Sequence, residues 1–216
     1  MGLSDQQSNV SVPQRTFSDD VLRLEVCSPK EEHLSIIDVP GIFKKTTQGL
    51  TTKSDMEMVR SMVHTYMQKP RSVMLVVIPA NVDIATQEIL EMAEEVDPDG
   101  QRTLGVLTKA DLIDKGAEQA VVDLVDGRKH KLSLGWHMVR NPGQLQISNP
   151  STDRHSVENM FFTQVAPWNT LEQDRVGVQA LRVRLQEILA AHTRREFPKV
   201  KQAFQVQQYS SNTFIN

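Results

Sequence analysis

Apolar positions along the 216-residue chain recur at two spacings, and their succession predicts strands interleaved with helices. Residues 1–17 are polar and mixed, as a flexible arm would be. Val21–Cys27 alternates loosely and reads as a strand, with Cys27 a small buried hydrophobe. Ser28–Glu32 carries a proline and charges and reads as a turn. Leu34–Asp38 (LSIID) is a short apolar run ending in a carboxylate and reads as a further buried strand. Ser54–Lys69 has helical spacing, with Met56, Val59, Val63, Tyr66 and Met67 on one side and Ser54 and Glu57 as a capping box. Ser72–Ile78 (SVMLVVI) is rich in β-formers with no polar alternation, the pattern of a strand covered on both faces. Thr86–Val96 reads as a helix closed by the Asp97-Pro98-Asp99-Gly100 turn, and Thr103–Leu107 as another buried strand. Asp114–His130 reads mostly as helix, Trp136–Arg140 as a strand and Gln144–Asp153 as a polar loop. A short helical patch over Val157–Val165 precedes a long helix over Val176–Glu196, whose apolar face holds Leu181, Leu185, Ile188, Leu189 and His192. Pro198 is expected to break or end that helix, and the polar residues 205–216 to form a poorly packed, disordered tail.

Strands separated by helices of this length argue for βαβ units and a mostly parallel sheet. The expected fold class is therefore α/β. The expected division is a flexible N-terminal arm over 1–17, an α/β domain over 18–170, a C-terminal helix over 171–204 and the tail over 205–216.

Composition narrows the function classes without choosing among them. Apolar residues make up 39% and charged residues 24%, which is ordinary for a globular domain, and the net charge of −3 shows no basic excess of the kind that draws nucleic acid. No nucleic-acid partner is expected. One cysteine cannot form an internal disulfide, which fits a reducing, cytoplasmic setting. No apolar run reaches the roughly 18 residues of a membrane-spanning helix. Gly2 follows Met1, but Gln6 stands where a myristoylation signal needs Ser or Thr. The six histidines show no metal-ligand spacing, and Trp136 and Trp168 read as packing residues.

Three loops follow strands at the edge where an open parallel sheet binds ligands. In the first, Asp38-Val39-Pro40-Gly41, a carboxylate can hold Mg²⁺ through water, and a glycine three residues later lets a backbone N–H approach a terminal phosphate. In the second, Thr108-Lys109-Ala110-Asp111, one ionised aspartate can accept from both the N1–H and the exocyclic amine of guanine, while the lysine stem covers a base or ribose face. In the third, Asn141 follows the Trp136–Arg140 strand, where a loop can close on the base from the other side. Each loop alone is as readily a simple turn. Their order, each after a strand with helices between, points to a guanine-nucleotide fold.

The residues that carry these motifs also carry a family likeness. LSIIDVPG, the run from VVIPANVDIATQEILEMAEEVDPDG through QRTLGVLTKADLIDKG, and GWHMVRN resemble the dynamin/Mx large GTPases, and the likeness extends from about Phe17 to Val200. The resemblance implies a partial P-loop-NTPase-like G domain, a mostly parallel sheet flanked by helices, followed by a hinge helix leading towards a stalk. It implies that Asp38 and Gly41 are the Mg²⁺-water and γ-phosphate residues. It makes Thr108, Lys109 and Asp111 the guanine-reading set, and Asn141 and Gln144 the residues of the base-closing loop. Asp114 falls where family members meet a neighbouring G domain. The implied ligands are GTP and Mg²⁺. The implied role is guanine-nucleotide binding and GTP hydrolysis in membrane remodelling or fission, or, in the Mx branch, opposition to viruses. The implied setting is the cytoplasm, peripheral to organelle membranes, with contacts to membrane or cytoskeleton made through other regions.

The sequence departs from the family pattern in one large respect. GxxxxGK[ST] occurs nowhere in it, and with that motif go the backbone cradle and lysine for the β/γ-phosphates. Base contacts at roughly 1.5–3 kcal/mol per charged hydrogen bond predict binding near millimolar or weaker. Hydrolysis by these residues alone is expected to be very slow or absent, and no catalytic residue is assigned. Pro142-Gly143 stands where the family commonly has Arg-Ser or Arg-Gly, which removes a donor from the base-closing loop. Both ends read as cut, as in a truncated gene model or splice product. The alternative to a GTPase segment is an inactive scaffold or regulatory fragment that pairs with intact dynamin-like proteins.

Overall fold

Three β-rich segments form a parallel sheet in the order β1–β2–β3 in the computed structural model: β1 is Met74–Pro79, β2 Thr103–Thr108 and β3 Trp136–Met138. The residues described are 17–29, 35–43, 45–47, 51–148 and 153–213, with side chains as far as Pro198. They fall into two compact units that divide between Gln68 and Lys69, and each is described by itself.

In the first unit, the stretch from Phe17 to Ser28 has no regular structure, and Val21, Leu22, Leu24 and Val26 are exposed. The strand expected over Val21–Cys27 is therefore absent, and Cys27 is exposed rather than buried. Ser35–Asp38 is likewise not a strand, and Ile36 and Ile37 face solvent; Leu34 lies outside the described residues. Apolar alternation allows a strand, but the backbone adopts one only where a ladder partner takes its hydrogen bonds. None does so for these segments among the described residues. Phe17 stacks on Phe43 at 5.6 Å between ring centroids. Helix α1, Lys53–Met67, buries Val59, Val63 and Met67 at helical spacing. Its cap is Thr52 with Asp55, two residues earlier than the expected Ser54 and Glu57: Asp55 N–H donates to Thr52 Oγ1 (3.2 Å), and Thr52 N–H donates to Asp55 Oδ2 (2.8 Å).

The second unit is built on the sheet. Helices α2 (Glu88–Val96) and α3 (Glu118–Val125) connect the strands. After β3 come α4 (Gln144–Ile147), α5 (Arg154–Gln164) and α6 (Val178–Thr213). The loop expected from Gln144 thus begins with a helical turn. On one face of the sheet, Leu104, Val106 and Val139 pack with Ile188, and Leu181 and Leu185 of α6 close over them. This is the apolar face the i, i+4, i+7 spacing of α6 predicts. Leu75 and Val77 are registered with Leu104 and Val106 and so share that face, yet they are 43% and 56% exposed. The expectation that this segment is covered on both faces is corrected: α6 reaches over β2, and β1 is an edge strand with one open face. Pro198 lies inside α6, which continues to Thr213. The ring removes one N–H donor, a local cost of about 3 kcal/mol, and Pro198 is exposed, so the long helix absorbs it. The tail expected from Gln205 is helical to the same point. No described helix is long and apolar enough to cross a membrane.

Two contacts lock β3 into place. Trp136 lies against Gly105, where any Cβ would drive into the indole ring, and its Nε1–H donates to His130 O at 2.7 Å. His137, 2% exposed, has Nε2 2.9 Å from Gly177 O and so fastens β3 to the residue just before α6. Burial pushes the His137 imidazole below its ordinary value near 6.5, against opposing pulls from the Gly177 carbonyl, Glu158 and Asp174.

Gly105→Ala is expected to lower stability by about 1–3 kcal/mol through overpacking against Trp136, read as a fall in the urea midpoint; an unchanged midpoint would refute the close approach. For His137 the sign follows from its lowered value. The unfolded chain takes up a proton below about pH 6.5 while the buried ring resists it. Stability is thus flat in this group above that value and falls as pH drops towards the folded one, by at most about 1.4 kcal/mol per unit. His137→Gln should flatten the stability profile between about pH 6.5 and 5; an equal slope in both proteins would show that the ring is accessible.

Candidate functional site

The carboxyl ends of β2 and β3 lie side by side because the strands are parallel and Leu107 is registered with Met138. That edge is where loops of an open α/β sheet take ligands. The end of β2 is fixed first. Ala80 N–H donates to Thr108 O at 2.7 Å, and the Thr108 hydroxyl donates to Ile78 O at 3.4 Å. The chain then turns at Lys109, which holds a left-handed backbone (φ 57°, ψ 38°). For a residue with a Cβ this costs about 1–2 kcal/mol, so the surroundings must impose it. Ala110, the next residue, is buried, and Leu112 N–H donates to Lys109 O at 3.0 Å. The turn sends Lys109 outward and sets Asp111 in a single 3-10 turn, Ala110–Leu112.

The second loop starts beside the first. Val139 N–H donates to Leu107 O (2.8 Å), which carries the pairing one residue past β3. Arg140 follows, and its backbone N–H donates to Glu158 Oε1 at 2.8 Å. Its guanidinium turns back towards β2: Nη2 lies 3.6 Å from Asp111 Oδ2, and Cζ sits 5.2 Å from the centre of the Phe161 ring. The Arg140 side chain is 14% exposed and that of Asp111 29%. Arg140 Nε is buried without a hydrogen-bond partner. Asn141 is exposed, Pro142 half-buried, and Gly143 N–H donates to Gln146 Oε1 (3.1 Å) at the start of α4, where Gln144 is exposed.

Thr108, Lys109 and Asp111 thus stand at one edge with Arg140 and the loop through Asn141 to Gln144. Asp114 lies three residues past Asp111, exposed, with its carbonyl accepting from Ala117 N–H at 3.0 Å. Asp38 and Gly41 belong to the first unit. Both are exposed, and no described atom lies within 4 Å of where a Gly41 Cβ would be. Packing among the described residues therefore does not demand glycine there.

Sequence reasoning missed Arg140, Glu158 and Phe161. Arg140 had one signal, its place directly before Asn141 at a strand end. Glu158 had none, because a helical glutamate usually faces water. This one is 6% exposed and bridges two elements: Oε1 accepts from Arg140 N–H, and Oε2 accepts from Val178 N–H (2.9 Å), in the first turn of α6.

The donor set suits the base end of a nucleotide. A partly exposed carboxylate at Asp111 offers two oxygens to two adjacent N–H donors, and the Lys109 stem is free to lie along a ring. For a divalent ion, no three described His, Cys, Asp or Glu side chains cluster. The exposed Asp38 carboxylate could hold a Mg²⁺ through water, the ion's remaining positions falling to water and phosphate.

A parallel α/β sheet with its candidate loops at the carboxyl edge defines a G-domain-like fold. The chain belongs to the dynamin family: the profile of the dynamin family matches residues 2–110, and that of the dynamin central region matches residues 120–213. It is 36% identical over 214 residues to the interferon-induced GTP-binding protein Mx2 of Oncorhynchus mykiss, covering 98% of this chain and 33% of that one. It is 39% identical over 172 residues to an interferon-induced GTP-binding protein Mx of Perca fluviatilis, covering 79% of this chain and 56% of the relative. It is 38% identical over 186 residues to Mx2 of Canis lupus familiaris, covering 84% and 26%. The chain spans about a third of the length of most of these relatives.

Glu158→Gln should strand one of the two backbone N–H groups, since the amide keeps a single acceptor. The expected cost is about 1–3 kcal/mol, seen as a lower urea midpoint with unchanged slope. A change under about 0.5 kcal/mol would mean that the bridge does not hold these elements.

Proposed function

We propose that this chain binds guanine nucleotide at the carboxyl edge of its sheet and is the base-reading part of a dynamin-type GTPase. One observation supports this above the others: the left-handed turn at Lys109 sets the Asp111 carboxylate, partly exposed, beside the loop that leads to Asn141 and Gln144. Asp111 accepts from the N1–H and amino group of guanine, Lys109 covers the ring or ribose, and Asn141 and Gln144 close from the β3 side. Adenine presents an acceptor at N1 and is rejected by the same carboxylate. The printed names of the relatives, GTP-binding proteins, agree with this ligand.

GTP hydrolysis and membrane remodelling belong to this proposal at the level of the longer protein. There Asp38 holds Mg²⁺ through water, Gly41 admits the terminal phosphate, and the exposed loop at Asp114 meets a second G domain. These 216 residues contain no GxxxxGK[ST] cradle, so we propose that by themselves they bind weakly and turn GTP over slowly or not at all. A folded chain of this kind serves as a pairing partner for an intact dynamin-like G domain. The proposed setting is cytoplasmic, peripheral to organelle membranes.

The test is a titration of the purified chain with GDP, with ADP as control, followed by NMR shifts at millimolar nucleotide, together with GTP turnover. Guanine-selective binding with a Kd near millimolar is expected, abolished by Asp111→Ala. Equal response to GDP and ADP would remove the base-reading role, and rapid turnover would remove the claim that hydrolysis needs a cradle this chain lacks.

A further inference from the structure

Arg140 is held more firmly than the carboxylate it faces. Its side chain is 14% exposed, its guanidinium carbon lies 5.2 Å from the centre of the Phe161 ring, and its backbone N–H is fixed to Glu158 Oε1. Asp111 stands on a short 3-10 turn with its side chain 29% exposed. No hydrogen bond from a described side chain fixes its carboxylate. Where a fixed cation meets a less constrained anion, the cation sets the orientation of the anion.

The contact also leaves the carboxylate available. Arginine can cap a carboxylate with two parallel N–H bonds, which would occupy both oxygens. Here the ion pair is Nη2 to Oδ2 at 3.6 Å, beyond hydrogen-bond range. Neither carboxylate oxygen accepts a hydrogen bond from the guanidinium, so both keep lone-pair capacity for other donors. The cation is thus close enough to hold the carboxylate by charge and too far to consume it. Arg140 Nε is buried without a hydrogen-bond partner, so at this nitrogen packing has not satisfied the donor. A buried N–H left unpaired costs stability, a cost that calls for a compensating role.

We propose that Arg140 is a positioning residue that determines guanine specificity by holding the Asp111 carboxylate edge-on to the base, so that both oxygens meet donors. The inference rests on the base-reading role of Asp111. The second donor, the 2-amino group, is what guanine has and hypoxanthine lacks. A carboxylate that swings freely meets N1–H in most orientations but meets both donors in few. Loss of Arg140 therefore weakens recognition of the 2-amino group and spares that of N1–H.

The experiment compares GDP and IDP binding by NMR titration in the full chain and in Arg140→Gln and Arg140→Lys. The wild type is expected to prefer GDP over IDP by about tenfold or more, the share of one charged hydrogen bond. In Arg140→Gln the ratio should collapse towards one, chiefly through weaker GDP binding, with Arg140→Lys in between. If both nucleotides weaken equally and the ratio persists, Arg140 is merely structural and the inference is overturned, while the base-reading site stands. If the wild type does not separate GDP from ADP, the site reading falls and takes the inference with it. A second measurement needs no Arg140 variant, in case those fold poorly. The buried Arg140 Nε–H gives its own ¹⁵N-edited signal, which GDP should shift more than IDP at saturation; identical shifts would overturn the proposal.

Discussion

Arg102 is buried, and its guanidinium donates to the carbonyls of Ser72 (3.2 Å) and Lys69 (3.4 Å) just before β1 and of Val96 (3.1 Å) at the end of α2. Its own N–H, with those of Gln101 and the Thr103 hydroxyl, is gathered by the Asp97 carboxylate (3.0, 3.1 and 2.6 Å). Arg102 O in turn accepts from Met74 N–H at 2.7 Å. This knot sets the register of β1 on β2, Met74 against Thr103. A slip of one residue would turn every side chain of a strand to the opposite face. Leu104 and Val106 would leave α6, and the loops at the far end would leave the position where Thr108 is tied to Ala80 and Ile78. The candidate site depends on charges buried at the opposite end of the sheet.

The same logic explains why the site tolerates strain at Lys109. The turn follows a strand pinned on both sides, by Ala80 N–H to Thr108 O and by Val139 N–H to Leu107 O. With the strand end immobile and Ala110 buried, the chain can redirect only within one residue. A left-handed backbone at an exposed side chain does that at modest cost. A flexible strand end would relax the turn and let Asp111 move with it.

Much of this was legible in sequence where the signal is local. TLGVLTKAD encodes the buried strand, the turn and the carboxylate in one contiguous run, and the Leu181, Leu185 and Ile188 spacing encodes the face that α6 presents. The failures share one cause, the need for a distant partner. Val21–Cys27 and Ser35–Asp38 have strand-like patterns, but strands exist only in ladders, and pattern does not supply a ladder. SVMLVVI shows an apolar strand but not that it lies at an edge, so Leu75 and Val77 were expected under cover. Pro198 breaks local rules, yet the helix runs through it. Glu158 reaches Arg140 and Val178 across 18 and 20 residues, with no periodicity to announce it.

That distinction bears on how a nucleotide site can be divided along a chain. Phosphates supply most of a nucleotide's charge and hence most of its affinity, whereas the base edge supplies discrimination. Here the groups of the candidate base-reading set, from Thr108 to Phe161, lie in one compact unit and are braced within it: Thr108 by β1, Arg140 by Glu158 and Phe161, and Glu158 by the first turn of α6. None of these braces involves Asp38 or Gly41. If these groups read a base as proposed, selectivity for it is a property this unit can hold by itself, set by geometry that does not depend on how tightly the phosphates are gripped. On the proposed reading, weak binding and sharp discrimination are compatible in such a unit, because the first would reflect contacts that are few and the second contacts that are fixed.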